Sequence, residues 1–244
     1  MIRTLLVRGL LVGLLAGLIA GGFAFVFGEP RVDSAIALEE AAAAHHPAGT
    51  AEHSHDEEEA PVSRPGQKAG LFLATGLYGL AVGGIFALVF AGLRGRVGPR
   101  SDGKLGLAAA GTAFVAVILV PFLKYPANPP AVGDPETINS RTLLYVVMIL
   151  VGLAATAIGV ATARRVTAGP WARGVAAGVA FLVPVIAAWV LLPTVNEVPD
   201  GFPATLLWEF RLASLGTQLV FWAAFGVLFA WASDRAARPA TVPV

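Results

Sequence analysis

The 244-residue chain has no cysteine, two methionines and only 14% charged residues. Without cysteine it can form neither a disulfide nor a thiolate metal site. A soluble domain carries about 25% charged residues to cover its surface. Half that supply excludes an ordinary soluble enzyme, a nucleic-acid-binding domain and a disordered chain, so no nucleic-acid partner is expected. No histidine lies in any long apolar run, so an intramembrane enzyme would lack a nucleophile–base pair. There is neither a H-E-x-x-H helix signature for catalytic zinc nor a Walker A loop to cradle nucleotide phosphates. The chain therefore does not power work by hydrolysing nucleotide itself.

What is present is apolar: 56% of the residues are hydrophobic, and mean hydropathy is +0.73. Six charge-free runs occur at 9–28, 69–93, 105–123, 142–163, 174–196 and 212–233. A bilayer core about 30 Å thick needs about 20 such residues per helix. This predicts an all-α fold, a polytopic transmembrane helix bundle with six spans. Gly9, Gly13, Gly17 and Gly21 recur at spacing four, a stripe that lets helix backbones approach closely in lipid. The first run follows Arg3 and Arg8 as a signal peptide would. It is longer than a signal core and no clean A-x-A site follows directly, so a retained helix is expected.

Charge sorts by side. Eleven Lys and Arg and two acidic residues flank one face of the spans; six basic and fourteen acidic residues flank the other. The faces carry +9 and −8. The positive-inside rule then puts both termini in the cytoplasm, which an even span count allows. The expected organisation is a first helix at 1–28, an outer loop at 29–68, a five-helix region at 69–235 and a cytoplasmic tail at 236–244.

All four histidines, His45, His46, His53 and His55, fall within eleven residues of the first outer loop, followed by Asp56 and Glu57. Imidazole is the commonest side-chain ligand for zinc, cobalt, nickel and copper, and carboxylates add charge. The tract is a candidate for metal capture, and the alternative is a solvated acidic linker. The ligand set does not choose among divalent ions. Ahead of it, Asp33 or Ser34 can cap a short helix, which would carry Glu29, Asp33, Glu39 and Glu40 as an acidic surface. Pro47, Gly49, Pro61, Pro65 and Gly66 are read as breakers, and 53–64 is expected to be disordered.

Spans three and five end alike. Each reaches a proline (Pro121, Pro193), a Pro-rich loop, and an arginine, Arg141 or Arg211, before the next span. This predicts two diverged hairpins, 105–163 and 174–233, in parallel repeat. Pro121, Pro184 and Pro193 are candidate helix kinks. One loop offers Lys124, Tyr125, Asn128 and Asp134; the other offers Asn196, Glu197, Asp200 and Glu209. With Arg141 and Arg211 they either line a substrate path or form interfacial ion pairs such as Lys124–Glu197 and Glu209–Arg141.

The histidine loop, the run PFLKYPANPPAVGDP over 121–135 and the run EVPDGFPATLLWEFRLASLGTQ over 197–218 resemble the CbtA family of predicted cobalt transporter subunits. The resemblance covers nearly the whole chain. It implies cobalt uptake across a bacterial cytoplasmic membrane for cobalamin synthesis, with a small single-span CbtB-type partner. The family is usually described with five spans, where the charge alternation here gives six. The expected function is a membrane subunit for uptake of a divalent ion, cobalt first, with nickel or zinc possible. The alternative is a membrane-anchored metal-binding or assembly subunit that conducts nothing.

Overall fold

The computed structural model describes residues 2–45 and 63–237. Every regular element in them is helical. Helix α1 is Ile2–Phe27, α2 Glu29–His45 and α3 Arg64–Leu93. The third span is a composite of α4 (Asp102–Ala113), a π-helical turn (Phe114–Leu119) and α5 (Val120–Lys124). A 3₁₀ turn at Pro135–Thr137 leads into α6 (Ile138–Arg165), followed by α7 (Pro170–Leu191) and α8 (Ala204–Ala237). Six helical stretches are long and apolar enough to cross a membrane. The 34 residues of α8 correspond to about 51 Å at 1.5 Å per residue, so α8 must project past the hydrocarbon core.

The tightest packing joins α1 to α3, and glycine makes it. A side chain on Gly13 would overlap the carbonyl oxygen of Gly79, and one on Gly79 would overlap that of Gly13. Gly9 and Gly83 stand in the same mutual relation. The stripe read from the sequence is thus half of a glycine-on-glycine seam, with van der Waals contact between backbones as its adhesive. On the next face, Phe86 and Phe90 of α3 meet Phe225 and Phe229 of α8 edge-to-face, with centroids 4.8–5.1 Å apart. Gly106 of α4 supplies the floor for the Phe229 ring. Trp222, at mid-span, is buried in this cluster rather than at an interface.

The π turn lies directly before Pro121. Val120 N–H reaches Val115 O, a bond one residue longer than the α repeat. Proline lacks an N–H and its ring crowds the carbonyl four residues back; a widened turn accommodates both. Gly152 of α6 nests against the backbone of Ala116 there. Pro184 lies inside α7, which stays helical through it. Pro193 is a correction: it kinks nothing, because α7 ends at Leu191 and Leu192 is already extended, as a residue before proline prefers. The fifth span accordingly stops short of Asn196.

Two further expectations change. Pro65 and Gly66 do not break structure. They form the first turn of α3, capped by Ser63, whose Oγ accepts from Gly66 N–H at 3.4 Å. Proline belongs in a first turn because its missing N–H would be unbonded there anyway. Pro30 does the same for α2, which begins at Glu29 rather than Asp33. The two hairpins also differ. The third span packs on α6, but α7 packs on α6 while α8 packs on α1 and α4. No residue of α7 is buried, so it forms the rim of the bundle.

Candidate functional site

The bundle has a basic end, with the start of α1, the end of α8 and the loops after α3 and α6, and an acidic end. At the basic end the two acidic residues have structural roles. Asp102 chelates Arg94 at 2.5 and 2.7 Å, and Asp234 accepts from the Gly103 amide at the start of α4 at 3.1 Å. Arg8 donates to Ser233 at 3.0 Å, tying α1 to α8.

At the acidic end, Arg64 and Lys68 at the start of α3 clamp the start of α2. Arg64 pairs with Glu29 at 2.9 Å and with Asp33, and Lys68 pairs with Asp33 at 2.9 Å. Hydrogen bonds from Lys68 and Arg64 hold the Asp33 carboxyl below its ordinary range. Glu29 and Asp33 are therefore neutralised and add nothing to a free acidic surface; Glu39 and Glu40 remain exposed on α2. His45 is the last residue of α2. His46, His53, His55, Asp56 and Glu57 lie outside the described residues. Among the described residues no three His, Asp or Glu converge as a metal cage.

The two Pro-rich loops do meet, through Glu197. Its Oε1 accepts from Thr137 Oγ1 at 2.6 Å and its Oε2 from Asp134 N at 3.0 Å; Arg141 Nε stands 3.3 Å from Oε2. Thr137, the Asp134 amide and Arg141 together keep its carboxyl below the ordinary range. Asp134 also caps the 3₁₀ turn, accepting from Glu136 N at 2.9 Å. Tyr125 ties the loops a second time, donating to Pro193 O at 2.8 Å. The ion pairs anticipated from sequence are corrected: Arg141 pairs with Glu197, and Glu209 pairs with Arg31 at 3.3 Å. Lys124 lies over the Trp189 ring at 5.3 Å. Asn196 and Asp200 are exposed.

Behind the loops is a cavity of about 820 Å³, bounded by 125–132, the start of α6 and the start of α8. Arg211 and Arg141 line it with Tyr125, Tyr145 and Asn128. Arg211 donates to Asn128 Oδ1 at 2.9 Å and to Ala127 O at 3.3 Å, both neutral acceptors. Sequence reasoning placed these residues near one another but missed the cavity. Its frame rests on Ala131, at φ 64°, and Gly133, at φ 124°, which no sequence pattern announced.

Within the spans, the threonines hydrogen-bond their own helices. Thr75, Thr112, Thr156 and Thr217 each donate to a carbonyl four residues back at 2.8–2.9 Å. Tyr78 donates to Gln218 Oε1 at 3.2 Å across α3 and α8. A second, apolar groove of about 500 Å³ lies between α4, α6 and α7.

A family model described as "Probable cobalt transporter subunit (CbtA)" matches residues 2–234. No curated protein and no solved structure matches the chain.

Proposed function

We propose that this chain, which belongs to the CbtA family of probable cobalt transporter subunits, captures Co²⁺ outside the bacterial cytoplasmic membrane and passes it to an inward path for cobalamin synthesis. The observation that carries this reading is the confinement of every histidine to one acidic tract beside α2. The asymmetry of Lys and Arg puts that tract outside. A divalent ion moving inward gains about 4.6 kcal/mol per 100 mV, twice the single-charge value, so the membrane potential or a partner drives entry. Nickel and zinc suit the same ligands.

The loop cluster is read as a clamp rather than a path. Glu197 has both oxygens engaged, and the adjoining cavity presents arginines, which repel a bare cation. Thr75, Thr112, Thr156 and Thr217 bond their own helix backbones, and Tyr78 and Gln218 bond each other. This favours a path completed by a partner, such as a small single-span CbtB-type subunit, over conduction by the chain alone. In that second reading the chain is a metal-binding or assembly subunit.

Reconstitution in liposomes with an inside-negative potential and radiolabelled cobalt tests both. Uptake that appears only with the partner subunit supports the shared path. Uptake by the chain alone supports a self-sufficient permease. No uptake with both present sinks the transport reading.

A further inference from the structure

Arg211 stands out in the cavity at the acidic end. None of the ion pairs among the described residues includes it. The neighbouring arginine, Arg141, has Glu197 as its counter-ion, so the charge left over in the cavity is that of Arg211. The side chain is half-buried. Its Nε and one terminal nitrogen are fixed by the carbonyl of Ala127 and the amide oxygen of Asn128. Those bonds orient the guanidinium without neutralising it. A planar, pre-oriented guanidinium is the side chain best suited to a phosphate oxygen pair. Tyr145 adds a hydroxyl at the same wall.

The remaining walls are apolar, built from Phe122, Val132, Ile138, Val146 and Val195. The cavity lies where α6 and α8 leave their apolar stretches. A free inorganic anion would have no use for those walls, whereas a phosphodiester attached to acyl chains would use both. Basic pockets between transmembrane helices hold acidic headgroups on the cytoplasmic side of membranes, and the same pairing of guanidinium with phosphate is available at this acidic end. We propose that this cavity binds the phosphate headgroup of an anionic phospholipid, with Arg211 as the charge partner and the apolar walls receiving the proximal acyl chain. The site is independent of whether the chain conducts metal.

The test is native mass spectrometry of the purified full chain after exchange into mixed vesicles of phosphatidylglycerol and phosphatidylcholine. The expected result is one retained phosphatidylglycerol, preferred about tenfold over phosphatidylcholine. R211Q should remove that preference. N128D, which sets a carboxylate against Arg211 while leaving it in place, should also remove it, so the inference stays testable if R211Q fails to fold. R235Q, at the basic end, should retain the lipid as the parent does. Equal retention of the two lipids by the parent chain would overturn the proposal. So would undiminished preference in R211Q and N128D. Displacement of the lipid by millimolar inorganic phosphate would overturn the lipid assignment in favour of a free-anion site.

Discussion

Glu197 Oε2 lies 3.3 Å from Arg141 Nε, and this contact joins the loop after the fifth span to the start of α6. Because the Glu197 carboxyl is held below its ordinary range by Thr137, the Asp134 amide and Arg141, the folded state binds a proton there less readily than the unfolded chain does. Its stabilising contribution is therefore complete above the ordinary carboxylate range and is lost as pH falls through the depressed value. E197Q should shallow this acid limb of melting in detergent, leaving the share that Asp33 contributes. Thermal melts of parent and variant from neutral to acid pH check it; parallel curves would exclude the clamp.

The α1–α3 seam makes opposite predictions for two glycines. Gly79→Ala drives a methyl into the backbone carbonyl of Gly13, and the helices must separate. Overpacking of this kind costs about 1–3 kcal/mol, and backbone is less able to yield than side chain. Gly92→Ala, in the same helix with open space around it, should be neutral or stabilising by up to about 1 kcal/mol through helix propensity. Unfolding titrations in mixed micelles distinguish the two.

At the cavity rim, Gly133 has φ 124°, and a methyl there would meet Arg141 Nη1 at 2.5 Å. Gly133→Ala combines a disfavoured backbone with displacement of the arginine that holds Glu197, and should cost about 1–3 kcal/mol. Ala131→Gly, which relaxes a left-handed backbone at φ 64°, should not destabilise and can gain about 1 kcal/mol. Melting of the two variants side by side is the check; loss of stability in A131G would refute the strain assignment.

The spans were legible because lipid imposes a constraint that composition alone satisfies: about 20 residues without charge. The small-residue stripe at Gly9–Gly13–Gly17–Gly21 likewise announced a contact, though not its partner, since Gly79 and Gly83 are no more conspicuous than Gly92. The start of α3 was missed because Pro65 is a first-turn residue rather than a breaker, and that of α2 because Glu29 rather than Asp33 opens it. The loop charges were found but mispaired. Arg31, not Arg141, meets Glu209, because α2 packs beside α8, and that adjacency is a tertiary fact with no local signature. The cavity was invisible for the same reason, since its lining comes from α5, α6, α8 and the two loops between the spans.

The histidine tract has its own kinetic signature. If His45, His46, His53 and His55 concentrate the ion near the membrane without forming the path, replacing all four with Ala should raise the KM for cobalt uptake several-fold and leave the maximal rate unchanged. Uniform weakening of binding acts on KM, whereas loss of a group in the path lowers the limiting rate. The Arg64 clamp adds a control. Arg64→Ala removes its own contacts to Glu29 and Asp33 and loosens α2, which keeps the Lys68–Asp33 pair, while leaving every ligand in place. It should shift KM in the same direction but less, with protease sensitivity of α2 reporting the release. A fall in maximal rate in the histidine variant would place those residues in the path itself, and unchanged KM would deny them any part in capture.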